Sequence, residues 1–222
     1  MQERYRNDYD GEFVILNTFY KDGKKQQEKE WVANPIENQY ISARAAIIGN
    51  GTSREKFNVK NIEDHRGGLL GKKRLQTYGA QGCWRELRCD FYVEDQQQDL
   101  EEIIESKYAE KSVVYTGVKN LLKYPGEFYL VPYGVKKPTI VTAIYLAAFD
   151  GHKEIYLLGV DGTFDDTEIV SDKLVAQINA VIVAYRSAKF IFVTDRDVPD
   201  LLRKNVNVAT MDYRKFVSHC DV

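Results

Sequence analysis

Histidine and cysteine, on which most nucleophilic and metal sites depend, are scarce in this chain, with three of each in 222 residues. His65, His152 and His219 stand far apart, and their order defines no Ser/His/Asp or Cys/His constellation. Cys83, Cys89 and Cys220 are odd in number and irregular in spacing, which predicts reduced thiols. The Cys-x5-Cys pair has no matching Cys/His pair, which argues against zinc. No apolar run approaches the roughly 18 residues of a membrane span. The first residues, Met-Gln-Glu-Arg-Tyr-Arg-Asn-Asp, lack the apolar stretch of a signal peptide. The expectation is a soluble cytoplasmic protein, in a host's cytoplasm if viral, with no membrane partner. Lys and Arg number 31 against 33 Asp and Glu, which argues against a generic polyanion binder but leaves room for a local basic patch.

What is present is a core. Apolar residues make up 44% of the chain, with 15 tyrosines and 10 phenylalanines, which is too much for disorder. Residues 12–33 predict a hairpin around Asp22-Gly23, and the charged run Lys24 to Glu30 reads as its solvated tip. Short apolar runs at 45–48, 75–79, 90–93, 112–116, 128–133, 154–161 and 189–195 read as strands, with an edge strand at 206–209. Helical patterns fall at 54–64, 99–107, 140–149, after Ser171 and after Pro199. Strands alternating with helices predict an α/β domain with a mostly parallel sheet and helices on both faces. The organisation expected is one nucleotide-binding domain, with residues 1–43 as a hairpin extension and 44–222 as a Rossmann-like core.

Such sheets bind ligands beyond the carboxyl ends of their strands. The groups predicted there are Gly49-Asn50-Gly51-Thr52-Ser53, Gly79-Ala80-Gln81, Glu94-Asp95, Asp161-Gly162-Thr163 and Asp195. Two glycines allow positive φ and close approach of a ligand to the main chain. Thr52 and Ser53 are placed to cap a following helix, whose N–H groups attract phosphate. The same spacing also suits a bare strand-to-helix turn, and it is neither the dinucleotide glycine pattern nor a Walker loop. Glu94, Asp95 and Asp161 suit a general base, a ribose contact, or ligands to a magnesium or manganese ion. Arg54, Lys56, Lys72, Lys73, Arg74, Arg85 and Arg88, with Trp84, would supply a basic margin fitting a diphosphate or a nucleic-acid acceptor.

Two segments carry a family resemblance. Ala46-Ile47-Ile48-Gly49-Asn50-Gly51-Thr52-Ser53 resembles the Gly-Asn-Gly-Pro-Ser signature of bacterial CMP-sialic-acid-dependent sialyltransferases and the related turn of archaeal-type 6-hydroxymethylpterin diphosphokinases. The block from Pro138-Thr139 to Gly159-Val160-Asp161 resembles the second signature of both groups. Thr77-Tyr78-Gly79-Ala80-Gln81-Gly82-Cys83-Trp84 is similar to a segment of tailed-phage homologues that carry Cys-Asn where Ala80-Gln81 stands here. Thr52 replaces the signature proline, and residues 163–195 contain no counterpart of the sialyltransferase general-base histidine.

The resemblance implies a Rossmann-like domain with a nucleotide on Gly49, Asn50, Gly51 and Ser53. Gln81 would stand for a base- or ribose-binding Asn, Thr139 for a Thr/Ser at the nucleotide, and Asp161 would close the site. The activity expected is nucleotide-sugar-dependent glycosyl transfer, with Asp95 or Asp161 catalytic. By association the enzyme would be phage-encoded, with modified DNA bases as one acceptor. An ATP-dependent diphosphokinase-type transferase and a non-catalytic protein that sequesters a nucleotide are the alternatives.

Overall fold

The computed structural model describes residues 2–6, 12–33, 44–63, 75–131, 138–160, 168–220 and 222. In chain order its strands are β1 (Gln2–Arg6), β2 (Glu12–Lys21), β3 (Lys24–Ala33), β4 (Arg44–Ile48), β5 (Leu75–Gly79), β6 (Phe91–Val93), β7 (Val113–Thr116), β8 (Tyr129–Leu130), β9 (Glu154–Leu158), β10 (Lys189–Val193) and β11 (Val208–Met211). The helices are α1 (Lys60–Glu63), α2 (Gln97–Glu105), α3 (Val118–Lys123), α4 (Thr139–Phe149), α5 (Glu168–Ala184), α6 (Asp200–Arg203) and α7 (Tyr213–Cys220). The fold is α/β, with parallel strands from β4 to β11 and a separate antiparallel sheet at the N-terminus.

The chain divides into two units, Met1–Ile41 with Asp90–Lys136, and Ser42–Cys89 with Lys137–Val222. The first holds β1-β2-β3 as its own antiparallel sheet, along with parallel β6-β7-β8. The N-terminal hairpin thus forms a sheet of its own rather than extending the parallel one. Asp22 (φ 53) and Gly23 (φ 73) both take left-handed conformations, the requirement of a two-residue type I′ hairpin turn.

The second unit holds a parallel sheet in the order β11-β10-β9-β4-β5. After β4 the chain adds β5 on one side, and later β9, β10 and β11 successively on the other. Adjacent β4 and β9 therefore mark the topological switch point, where open parallel sheets bind ligands. Residues 45–48 of β4 and 155–158 of β9 are essentially fully buried, so both sheet faces are covered. On one face Tyr156 packs against Phe216 of α7. Tyr78 is in register with Ile47 and so with Leu157, on the opposite face, where its hydroxyl meets Asp150 at the end of α4 and lies 2.9 Å from His152 Nε2. His152 is therefore buried and structural, at the amino end of β9. The three cysteines are buried and in no disulfide.

Candidate functional site

β4 ends at Ile48, and the chain turns through Gly49-Asn50-Gly51. The glycines act differently from the sequence expectation. Gly51 has φ −63 and ψ 146, ordinary extended values, and the left-handed glycines among the described residues do not include Gly49. Positive φ falls instead on Gly159 (φ 63), just beyond β9, and on Gln81 (φ 58), just beyond β5. Gly49 is required by close approach. A Cβ there would lie 2.5 Å from the Gly159 carbonyl oxygen. A Cβ on Gly159 would in turn lie 2.7 Å from Cδ of Arg54.

Two hydrogen bonds stitch this contact. Gly49 N–H donates to the Leu158 carbonyl at 2.9 Å, and Gly51 N–H donates to the Gly159 carbonyl at 2.7 Å. Those N–H groups join β4 to β9 at the switch point and are not turned outward. The expected helix after the turn is also different. It begins as a 3-10 turn, Thr52–Lys56, capped by the Gly51 backbone with no side-chain cap, and only then reaches α1. The Ser53 hydroxyl lies 3.4 Å from the Tyr213 hydroxyl and is buried. The exposed side chains of the turn are Asn50 and Thr52.

A cation reaches them from the end of β10. Arg196 donates from Nη2 to Thr52 Oγ1 at 2.6 Å, while its own N–H is held by Thr194 Oγ1 at 3.0 Å. Arg196 is not among the residues predicted from the sequence, which end at Asp195 on this strand. The available signal was its place just past an apolar strand, on the ligand side of the sheet. Beside it, at the ends of β9 and β10, is a small depression lined by Leu157, Val160, Phe192 and Val198, with Thr194 and Asp197 as its polar side chains.

Arg54 does not form a free basic margin. Its guanidinium makes two 2.9 Å bonds to the Glu86 carboxylate, and its side chain is 10% exposed. The hydrogen bond from Arg54 holds the Glu86 carboxyl below the usual carboxylate range. Arg85 stacks on the Trp84 ring at 4.5 Å. Lys72, Lys73 and Arg74 lie outside the described residues, as does the side chain of Lys56. Gln81 sits at the carboxyl end of β5. Its Oε1 is buried, accepts no hydrogen bond among the described residues, and lies 3.2 Å from where a Gly49 Cβ would be. Thr139 is the first residue of α4, which packs over β4, β5 and β9. Because α4 runs back toward the start of β9, its N-terminal end, with the N–H groups of the first turn, is on the carboxyl side of the sheet. Asp161 lies outside the described residues.

Asp95 belongs to the other unit, at the carboxyl end of β6. Its Oδ1 accepts from Asn120 Nδ2 at 3.1 Å, from Gly117 N–H at 3.3 Å and, at 3.5 Å, from the Thr116 hydroxyl. The residue is exposed, so these bonds orient a carboxylate that faces water. Glu94 differs sharply from its neighbour. It is 2% exposed and accepts from the N–H groups of Asp95 and Gln96 at 2.9 and 3.0 Å. Burial raises its carboxyl above the usual range, and its work is to close the loop into α2. Among the described residues no group of three or more His, Cys, Asp or Glu could hold a metal ion, and Asp95 by itself does not make a magnesium or manganese site.

No family model and no curated protein matches the chain. Among solved structures it is similar to the apo crystal structure of an alpha-2,3-sialyltransferase from Campylobacter jejuni. The identity is 13%, the match covers 70% of this chain and 77% of that one, and the TM-score is 0.44, a loose likeness of fold. No described helix is long and apolar enough to cross a membrane.

Proposed function

We propose that the turn at Asn50 and Thr52 binds the phosphate of a nucleotide-sugar donor, and that the protein is a glycosyltransferase. The observation that carries this is the switch point itself. The Gly-Asn-Gly turn is stitched to the end of β9, with Asn50 and Thr52 exposed and Arg196 already directed at Thr52. A guanidinium suits phosphate because its N–H groups match the oxygens in charge and shape. The α4 N-terminus at Thr139 adds a positive dipole end on the same side of the sheet. Gln81, whose buried Oε1 accepts no hydrogen bond among the described residues, is suited to a donor on the ribose or base, since such an acceptor gains when a ligand satisfies it.

In the transfer step an acceptor hydroxyl attacks the anomeric carbon. The new C–O bond forms as the bond from that carbon to the nucleotide phosphate breaks. The phosphate leaves with the electron pair, and Arg196 offsets its charge. The hydroxyl proton passes to a carboxylate, for which Asp161, just after β9 in the sequence, is the candidate. An acceptor in DNA and phage origin extend this reading and rest on the sequence resemblance, and a magnesium or manganese ion held by strand-end carboxylates rests on the chemistry of those residues.

A thermal-shift screen against UDP-, CMP- and GDP-sugars, ATP and cyclic nucleotides tests it, since a ligand bound only by the native state raises the melting temperature. The expected result is a nucleotide sugar that stabilises the protein and is cleaved on incubation, with Asn50→Ala abolishing the cleavage. Unchanged activity in Asn50→Ala would overturn the assignment. An intact ligand after long incubation would mark a sequestering protein, and ATP consumption a diphosphokinase.

A further inference from the structure

We infer that the tip of the β2–β3 ribbon is a binding site for single-stranded nucleic acid. This stands apart from the nucleotide reading and uses no residue of that site.

β2 and β3 are ten residues each and pair along their whole length, from Glu12 opposite Ala33 to Lys21 opposite Lys24. β1 pairs only with the base of the ribbon, from Arg6 opposite Phe13 to Gln2 opposite Asn17. Beyond Asn17 the two strands continue without a third among the described residues, and every residue from Phe19 to Glu30 is exposed. An isolated two-stranded ribbon is marginal in water, because it has no face to bury. Its sequence should then favour pairing at every position.

It does not. Lys21 and Lys24 stand directly opposite one another beside the turn, a like-charge pair that destabilises a hairpin. Lys25 follows at once, so the tip carries three lysines against the single carboxylate of Asp22. Among the described residues none of the three lysines has an acidic partner within ion-pair distance. Two large aromatics share this tip, Phe19 at 40% exposure and Tyr20 at 75%. Tyr20 is directly opposite Lys25, so ring and ammonium lie on one face. Local rules broken without a folding gain mark functional positions.

Charge complementarity selects the occupant. Clustered ammonium groups with no acidic partner among the described residues call for a polyanion, and exposed rings beside them call for planar groups to stack on. A nucleic-acid strand with unpaired bases that wraps the tip offers both, phosphates to the lysines and a base to Tyr20 beside Lys25, with Phe19 on the other face beside Lys21 and Lys24. A second copy pairing edge to edge is disfavoured, because the free edge of β3 carries Lys24, Lys25, Glu28, Lys29 and Glu30, the pattern that blunts strand addition.

Fluorescence anisotropy with a labelled single-stranded oligonucleotide and its duplex, over a salt series, tests the proposal. The wild-type protein should bind the single strand more tightly than the duplex. The variant Lys21→Ala/Lys24→Ala/Lys25→Ala should lose roughly tenfold or more in affinity, and its slope of log K against log salt should fall by about 2, three contacts at about 0.7 each. Tyr20→Ala should lose about fivefold or more at an unchanged slope, the size of one lost stacking contact. Lys24→Arg/Lys25→Arg should retain binding. The triple variant should melt no lower than wild type, which separates lost contact from lost folding. Absence of binding at low salt, binding indifferent to the triple variant, or duplex bound as tightly as single strand with Tyr20→Ala silent would each overturn the inference. So would a dimer that forms through the ribbon and disperses in the triple variant.

Discussion

Replacing Gly49 by alanine tests whether the turn is held to β9 as described. The new Cβ would meet the Gly159 carbonyl oxygen at 2.5 Å, with the Gly159 carbonyl carbon and Gln81 Oε1 both at 3.2 Å. A relaxed carbon–oxygen contact is about 3.3 Å, so the ends of β4 and β9 must part by about 0.8 Å. Neither is a flexible side chain that can swing away. The separation stretches the Gly49-to-Leu158 bond of 2.9 Å and the Gly51-to-Gly159 bond of 2.7 Å beyond useful length. Two buried backbone bonds at about 1 kcal/mol each give about 2 kcal/mol, with about 1 more for packing lost at Arg54. Alanine recovers about 0.5–1 kcal/mol by restricting the unfolded chain. The net loss is about 2 kcal/mol, a fall of roughly 4–8 °C in melting midpoint for a chain of this size. Gly117→Ala is the control, because its Cβ meets only the Asp95 side chain, Oδ1 at 3.0 Å and Cγ at 3.9 Å, and its φ of −80 suits alanine. Thermal unfolding by circular dichroism reads both. A Gly49→Ala midpoint no lower than that of Gly117→Ala would refute the close-approach argument.

Arg196→Ala should weaken nucleotide binding about tenfold or more by titration calorimetry while leaving the melting midpoint within about 2 °C, since the side chain is exposed and its loss removes a charge-assisted contact. Glu86→Gln should cost about 1 kcal/mol or less at neutral pH, discounted for the exposure of the carboxylate. Because the folded carboxyl lies below its unfolded value of 4.5, that contribution is present above pH 4.5 and is lost as pH falls through the folded value, so the gap between variant and wild type should close in acid denaturant titrations. Glu94 has the opposite sign. Its folded carboxyl is raised above 4.5, so it favours the fold below that pH and penalises it as pH rises through the folded value. Glu94→Gln, which keeps an acceptor for the Asp95 and Gln96 N–H groups, should flatten the stability–pH profile above pH 4.5. A profile unchanged by the substitution would contradict the burial argument.

The parallel sheet was legible because its strands are buried on both faces and so read as unbroken apolar runs, as in Ala45–Ile48 and Ile155–Leu158. The Asp22-Gly23 turn was legible because left-handed φ at two successive positions narrows the residue choice. α3 and α7 were missed. α7 carries few apolar residues over only eight positions, and its place is set by Phe57 and Tyr156, distant in sequence. Helix α5 begins at Glu168, so Ser171 lies inside it rather than capping it. In the site, position was readable and use was not. The glycines at 49 and 51 fell at the end of the first core strand, as expected. That Gly49 faces another backbone depends on Gly159, which lies 110 residues later and is brought alongside only by the β4–β9 pairing. Arg196 is hidden for the same reason, since its relation to Thr52 exists only once β10 lies beyond β9.

The most direct test of the central claim is a crystal structure of the protein with the nucleotide sugar that most raises its melting temperature. The account predicts the donor phosphate within hydrogen-bonding distance of Asn50, Thr52 and the Arg196 guanidinium, with Gln81 turned to the ribose or base. A nucleotide bound elsewhere, with the Gly49–Ser53 turn and Arg196 untouched, would contradict it.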